Sequence, residues 1–249
     1  MTPSPTTSAT PAPLLINELQ KLPLSEILRM AVESGLRLRP DLTRRQLVLD
    51  QIRYQLSRGG TATGTALLEK TPDAGILRWS AYDLRPGADD VTVPHQLMRK
   101  YSLQPGVMLT CKVRPPQGRE QGLMADEILF IEGIPASDWK PPTEFDKLTP
   151  LFPNRRIFLE TPTEPELAAR AVDLITPIGM GQRGLIAAAP RAGKTIMLQT
   201  LARSIRANHP DAALILLLVD ERPEEVTDFK RNVPAEVWAS SNDEAVESH

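Results

Sequence analysis

Residues 187–200 read AAAPRAGKTIMLQT, and this stretch decides what the second half of the chain is. A strand-like run, LIAAA (185–189), leads into a turn with proline and glycine, and a helix-forming run, TIMLQTLARSI, follows. The pattern Ala188-x-x-x-x-Gly193-Lys194-Thr195 departs from the phosphate-binding P-loop only at its first position, where Ala stands for Gly. The chemistry survives that change. Gly193 lets the backbone come close to a phosphate, and the free amides at the start of the following helix point at the anion. Lys194 reaches the β- and γ-phosphates, and the Thr195 hydroxyl offers a ligand to Mg²⁺. ATP and Mg²⁺ are the expected cofactors.

Beyond the helix, ALILLLVDER (213–222) carries an apolar run into Asp220-Glu221. Those carboxylates stand at the carboxyl end of a parallel strand, where α/β proteins bind ligands. In RecA-type P-loop proteins the strand directly after the P-loop helix supplies the glutamate that polarises water. Glu221 is therefore read as the general base and Asp220 as its support. An acidic N-cap for the next helix remains open for Asp220, since Pro223, Glu224 and Glu225 suit a first turn on dipole grounds alone. With the helix PELAARAVDLI and the glycine-punctuated turn PIGMGQRG ahead of the loop, residues 165–249 read as a partial RecA-like P-loop domain.

Composition narrows the class. The 249 residues suffice for two modest domains. A net charge of −2 and 24% charged residues name no polyanionic or polycationic partner. One cysteine, Cys111, excludes an internal disulfide, and His95, His209 and His249 are too scattered for a metal cluster. The longest apolar run, 212–219, is too short to span a bilayer, and the N-terminus lacks a secretory signal. A cytoplasmic protein with no membrane association is expected.

The front of the chain has a different texture. Residues 1–13, nearly all Pro, Ser, Thr and Ala, read as a disordered tail. Residues 14–60 read as a small helical domain. One helix has Leu24, Ile27, Leu28 and Val32 as its stripe and Gly35 as its stop; a second opens on the capping box Thr43/Gln46 and buries Leu49, Ile52 and Leu56. Eight Lys/Arg against five Asp/Glu leave this segment at +3, either a polyanion-facing surface or a solvated one. Residues 61–135 hold five short strand-like runs (TALLEK, GILRWSAY, DVTV, VMLTCKV, EILFIEG) broken by turns. These suggest a five-stranded barrel of the oligonucleotide-binding (OB) type, which periodicity does not separate from an SH3-like barrel. A Pro-rich linker, 136–164, follows. The fold class is thus α+β and multidomain.

PIGMGQRGLIAAAPRAGKTIMLQ followed by LILLLVDERPEEVTDFKR resembles the bacterial transcription termination factor Rho family. LTPLFPNRR, DDVTVPHQLMRKYSLQPG, KVRPP and LPLSEILRMAVESG extend the resemblance forward, over roughly residues 14–249. The ATP synthase α subunit shares the PIG-x-GQR stretch, so the front end and DERPEEVT decide for Rho. The resemblance implies a hexameric ring that binds single-stranded RNA on its barrels, hydrolyses ATP to pull RNA through the ring, and acts on RNA polymerase. It implies nucleotide contacts from Gly179, Met180, Gly181, Gln182, Arg183 and Gly184, from Arg191, Ala192, Gly193, Lys194, Thr195 and Ile196, and from Arg222 beside Glu221. Arg191 stands where the family usually has Lys.

Two departures qualify these expectations. Rho barrels stack cytosines on a Gly-Phe-Gly-Phe stretch, where this chain has Asp73-Ala74-Gly75-Ile76-Leu77-Arg78. A family tyrosine becomes Leu84, and the glutamate-tyrosine pair after RPP becomes Arg119 and Gln121. Each lost stacking platform is worth about 1–3 kcal/mol per base. Arg78, Trp79, Tyr82 and Arg119 are the remaining RNA-contact candidates, with Trp79 and Tyr82 read first as barrel packing and second as stacking platforms. The family's metal-binding aspartate strand, central RNA loops and arginine finger lie downstream of the last residue here. The expectation is therefore either a Rho subunit that hydrolyses no ATP by itself or a non-catalytic, Rho-like RNA- and nucleotide-binding regulator.

Overall fold

A computed structural model describes residues 12–36, 42–72, 74–161, 166–189 and 191–241. The tail read over 1–13 lies outside them except for its last two residues. The chain folds as two compact units, Met1–Thr143 and Glu144–His249, which divide inside the stretch read as a linker.

In the first unit the chain enters through the two-residue strand β1 (Leu14–Leu15) and the short helix α1 (Ile16–Lys21). Both are too short to leave a periodic signal in sequence. Helix α2 (Leu24–Glu33) follows, but its buried stripe is Ile27 and Ala31, while Leu24 and Val32 stay exposed. The stripe is set by α3 (Arg44–Ser57), which packs against α2 and selects the covered side. Thr43 caps α3 as its spacing predicts, its Oγ1 accepting from Gln46 N at 3.2 Å.

The barrel comes next. Strand β2 (Ala62–Lys70) alternates buried and half-buried side chains, as a strand with one face on a core must. It is followed by β3 (Gly75–Arg78), β4 (Val91–Val93), the helical turn α4 (His95–Lys100), β5 (Met108–Arg114) and β6 (Leu123–Ile131). The order around the sheet is β2-β3-β4-β6-β5, and β5 pairs back onto β2, so the sheet closes. Only the β4–β6 pair in that ring is parallel. Closure removes the unpaired strand edges that an open sheet would present. The two-residue β7 (Ile134–Pro135) folds back on β6.

Helices and barrel share one core. Ile16, Ile27, Val48 and Ile52 belong to the same buried cluster as Leu68, Leu77, Leu109 and Ile131. A polar clamp reinforces the joint: Arg45 on α3 donates to buried Asp89 at 2.5 Å and to Asp90 at 2.7 Å, while Gln20 on α1 donates to Asp89 at 3.1 Å. Burial pushes the Asp89 carboxyl above its ordinary range, and the Arg45 guanidinium opposes that push. Arg44 donates to the carbonyls of Gln20 and Leu22 at 2.7 and 2.6 Å. Two of the basic residues behind the +3 balance thus work inside the fold.

The second unit begins with β8 (Arg156–Ile157), α5 (Leu167–Ile175) and β9 (Ile178–Gly179), which pairs with β8. Helix α6 (Lys194–Asn208), strand β10 (Ile215–Glu221), helix α7 (Pro223–Asn232) and strand β11 (Glu236–Ser241) complete it. β10 and β11 are parallel, and a small core of Ala202, Leu218, Phe229 and Val233 ties α6 and α7 to one face of the pair. On β10 the alternate residues Ile215, Leu217 and Val219 are exposed. The strand expected at LIAAA does not form: residues 185–189 enter no ladder, and Leu185 is 92% exposed. A strand exists only through its partners, and β10 pairs with β11 instead.

α5 is stitched in by polar contacts. Asp173 Oδ2 accepts from Leu159 N at 2.9 Å and Glu160 N at 2.8 Å, and Glu166 accepts from Thr200 at 2.5 Å and Arg203 at 3.0 Å.

Candidate functional site

The P-loop backbone is set by two left-handed residues, Arg191 (φ 64°) and Gly193 (φ 86°). Gly193 is the N-cap of α6, where glycine meets a positive φ without a Cβ clash. Arg191 holds the same region with a full side chain, a strained position of the kind that gathers at ligand loops. Ala192 N donates to Ala189 O at 3.1 Å to close the turn, and Met197 N donates to Gly193 O at 2.9 Å to open the helix. The amides of the first helical turn have no intrahelical partner, so Lys194, Thr195 and Ile196 sit at a natural anion site.

Two acidic side chains converge on this turn. Lys194 Nζ lies 3.5 Å from Glu221 Oε1, and Thr195 Oγ1 donates to Glu225 Oε2 at 2.9 Å. Glu221 ends β10, immediately after Asp220, which takes φ 57° where the β10–β11 register shifts between Val219 and Glu221. Such bulges re-aim side chains beside functional sites. The N-cap reading of Asp220 is corrected here: Arg222 occupies the N-cap position of α7 without a side-chain capping bond, with Pro223 at the helix start and Glu224 and Glu225 in its first turn. Arg222 is exposed. Glu225 carried no functional signal in sequence beyond its fit to a helix start.

The residues Gly179 to Gly184 form a separate turn. Gly179 N donates to Gln182 Oε1 at 2.8 Å, Gln182 N to Gly179 O at 3.0 Å, and Met180 N to Arg155 O at 2.8 Å. A Cβ on Gly179 would fall 2.5 Å from Pro153 Cβ, so only glycine allows this approach. Gly181 is left-handed at φ 84°, and Arg183 and Gly184 are exposed. The turn borders an open cleft of about 580 Å³, also lined by Asn154, Arg155 and Arg156.

The barrel candidates divide. Trp79 is fully buried, and its Nε1 donates to Asp89 O at 3.0 Å, so its ring belongs to the core and offers no face to a base. Tyr82 packs half-buried with its ring 4.5 Å from the Arg45 guanidinium. Arg78 is held by Glu69 at 2.5 Å and by Asp90. The Trp79 ring thus packs inside the barrel, while Arg78 and Tyr82 are part-buried, the one held by carboxylates and the other beside Arg45. Arg119 stays exposed in the turn before β6.

Lys112 on β5 pairs with Glu127 on β6 at 2.6 Å, and Arg114 on β5 with Glu120 in the turn before β6 at 2.6 Å. The Arg114 guanidinium, with the Gln117 amide, holds the Glu120 carboxyl down at about 2. Cys111 is buried, which pushes its thiol up to about 12 and makes it inert.

A closed β-barrel in one unit, and in the other a P-loop helix beside a strand ending in glutamate, define a nucleotide-binding protein with an accessory barrel. The nucleotide-binding domain of the ATP synthase alpha/beta family matches residues 168–244. Transcription termination factor Rho of Akkermansia muciniphila is 41% identical over 235 residues, covering 94% of this chain and 50% of that protein. Rho of Rhodopirellula baltica is 42% identical over 246 residues, covering 95% and 46%, and Rho of Pseudomonas aeruginosa 37% over 237 residues, covering 94% and 57%. The chain is a relative of the Rho factors over nearly all of its own length, as its motifs indicate. It spans about half the length of the curated relatives it matches.

Among the described residues no helix is long and apolar enough to cross a membrane. Nor do any three His, Cys, Asp or Glu side chains among them come together to hold a metal. A divalent ion here would need oxygens from a nucleotide, as Mg²⁺ sites on phosphates usually do.

Proposed function

We propose that this chain is a Rho-type transcription termination subunit, cytoplasmic, that binds Mg-ATP at the P-loop and single-stranded RNA at its barrel. The observation that carries the proposal is the meeting of Lys194 and Glu221, 3.5 Å apart at the start of α6 and the end of β10. A cation for the phosphates and a carboxylate for water stand together where phosphoryl transfer needs both. Mg²⁺, when bound, neutralises charge on the β- and γ-phosphate oxygens. Lys194 draws the phosphates onto the amides of the first α6 turn, Arg191 and Arg222 add positive charge at the rim, and Glu221 orients water once Lys194 turns to phosphate. The Gly179–Gly184 turn is proposed as a further nucleotide contact.

The barrel order, with its one parallel pair, fits the OB type, and the four parts 14–60, 61–135, 136–164 and 165–249 follow as proposed domain limits. With Trp79 in the core and no Gly-Phe-Gly-Phe stretch, RNA is held mainly through phosphate by exposed cations such as Arg119. Cytosine preference is correspondingly weak. A hexameric ring, translocation on RNA and action on RNA polymerase belong to the same proposal by relation to Rho.

Calorimetry with ATP tests it. Lys194→Ala is expected to lower ATP affinity about 10- to 100-fold, the worth of a charge-assisted bond. Unchanged affinity would remove the P-loop assignment.

A further inference from the structure

The Thr195 hydroxyl does not stand alone. Its one proton goes to Glu225 Oε2 at 2.9 Å. A hydroxyl has one donor and two acceptor lone pairs, so a hydrogen bond given to Glu225 fixes the rotor and leaves both lone pairs directed elsewhere. Glu225 is placed there by packing rather than by a flexible tail. Four residues along α6 from Thr195, Gln199 donates to Asp228 at 2.5 Å, and Asp228 follows Glu225 by three residues on α7. Those spacings put each pair on one helix face. Phe229, 1% exposed, and Val233 anchor the other side of α7 in the core with Ala202 and Leu218. The two helices thus meet along a polar seam whose first rung is Thr195–Glu225.

We propose that Glu225 is the positioning residue for the divalent cation of the nucleotide site: by accepting the hydrogen bond of the Thr195 hydroxyl it aims that oxygen's lone pairs at the metal. The inference rests on the Mg-ATP reading of the P-loop. It gives α7 a role that its sequence, read as an acidic first turn, does not disclose. Partners that orient a metal ligand typically change metal affinity about 10- to 100-fold when removed.

The test is binding of a fluorescent ATP analogue to the 249-residue chain, titrated with MgCl₂ and repeated in EDTA. Glu225→Ala is expected to raise the Mg²⁺ concentration for half-maximal enhancement of binding about 10-fold or more, while binding in EDTA does not weaken, since no phosphate contact is removed. Glu225→Gln, whose amide oxygen still accepts the Thr195 proton, is expected to restore most of that loss. An unchanged Mg²⁺ requirement in Glu225→Ala overturns the proposal. A lowered requirement also overturns it, by showing that Glu225 competes with the metal. Glu225→Gln as impaired as Glu225→Ala overturns it too, by making charge and not proton acceptance the cause. Lys194→Ala in EDTA separates the two readings: if it leaves metal-free affinity untouched, the P-loop reading itself fails.

Discussion

The two units solve the problem of covering a β-sheet in different ways. In the first, five strands close on themselves and three helices add their apolar faces to the same core. In the second, one face of the parallel β10–β11 pair is covered, while Leu217 on the other is 72% exposed and Phe152 is 94% exposed. Parallel sheets occur almost only with both faces covered. The barrel unit therefore holds most of its stability within itself. The P-loop unit keeps its apolar surface facing outward and fixes its site with polar rungs.

The closed barrel is most vulnerable at Trp79. Trp79→Ala empties the centre of the closed core and is expected to cost about 3–5 kcal/mol, read as early loss of hydrogen-exchange protection in β2 and β3. Protection there equal to the parent's would mean that the barrel does not depend on its centre. Next is Arg45→Ala. Leaving Asp89 buried without its guanidinium costs about 3 kcal/mol, as for other broken buried pairs. Urea melts should show that loss, with Arg45→Lys recovering only part because the fork to Asp89 and Asp90 is gone.

A smaller effect is expected at Asp173. Burial pushes its carboxyl up, but the Glu160 and Leu159 amides and Arg156 outweigh that and hold it below its ordinary value. A depressed folded value means that its stabilisation is present above the unfolded value, about 3.9, and is lost as pH falls through the folded one. Melting of the second unit should therefore become steeply pH-dependent below about pH 4. Asp173→Asn should flatten that slope at a cost of about 1 kcal/mol at neutral pH. The smallest effect belongs to the exposed apolar set. Phe152→Ser should change stability by no more than about 0.5 kcal/mol, and a larger loss would show that Phe152 is packed in solution.

Much of the fold was legible because its signals are local. The Thr43 cap, the strand-like run TALLEK (65–70) within β2 and the Gly193-Lys194-Thr195 start of α6 each depend on a few neighbouring residues. The failures share a cause of the opposite kind. LIAAA has the composition of a strand, yet its state depends on whether another strand offers hydrogen bonds. Leu24 and Val32 share a helical period with Ile27, yet the burial of each depends on where α3 lies. Trp79 reads first as a core residue, and the direction of its Cβ decides against the stacking alternative.

The amino-acid sequence carries the P-loop pattern with its lysine and threonine, the glutamate that follows, the strand runs of a barrel ahead of them, and the similarity to Rho. Those are properties of residue type and spacing, which short-range sterics and helix geometry convert directly into structure. Tertiary packing alone decided which of these groups meet. It put Trp79 inside, spent Arg78 and Arg45 on carboxylates, and brought Glu225 to the Thr195 hydroxyl. Such contacts join positions tens of residues apart, and their geometry is fixed by cores such as Phe229 against Ala202, which no local pattern encodes.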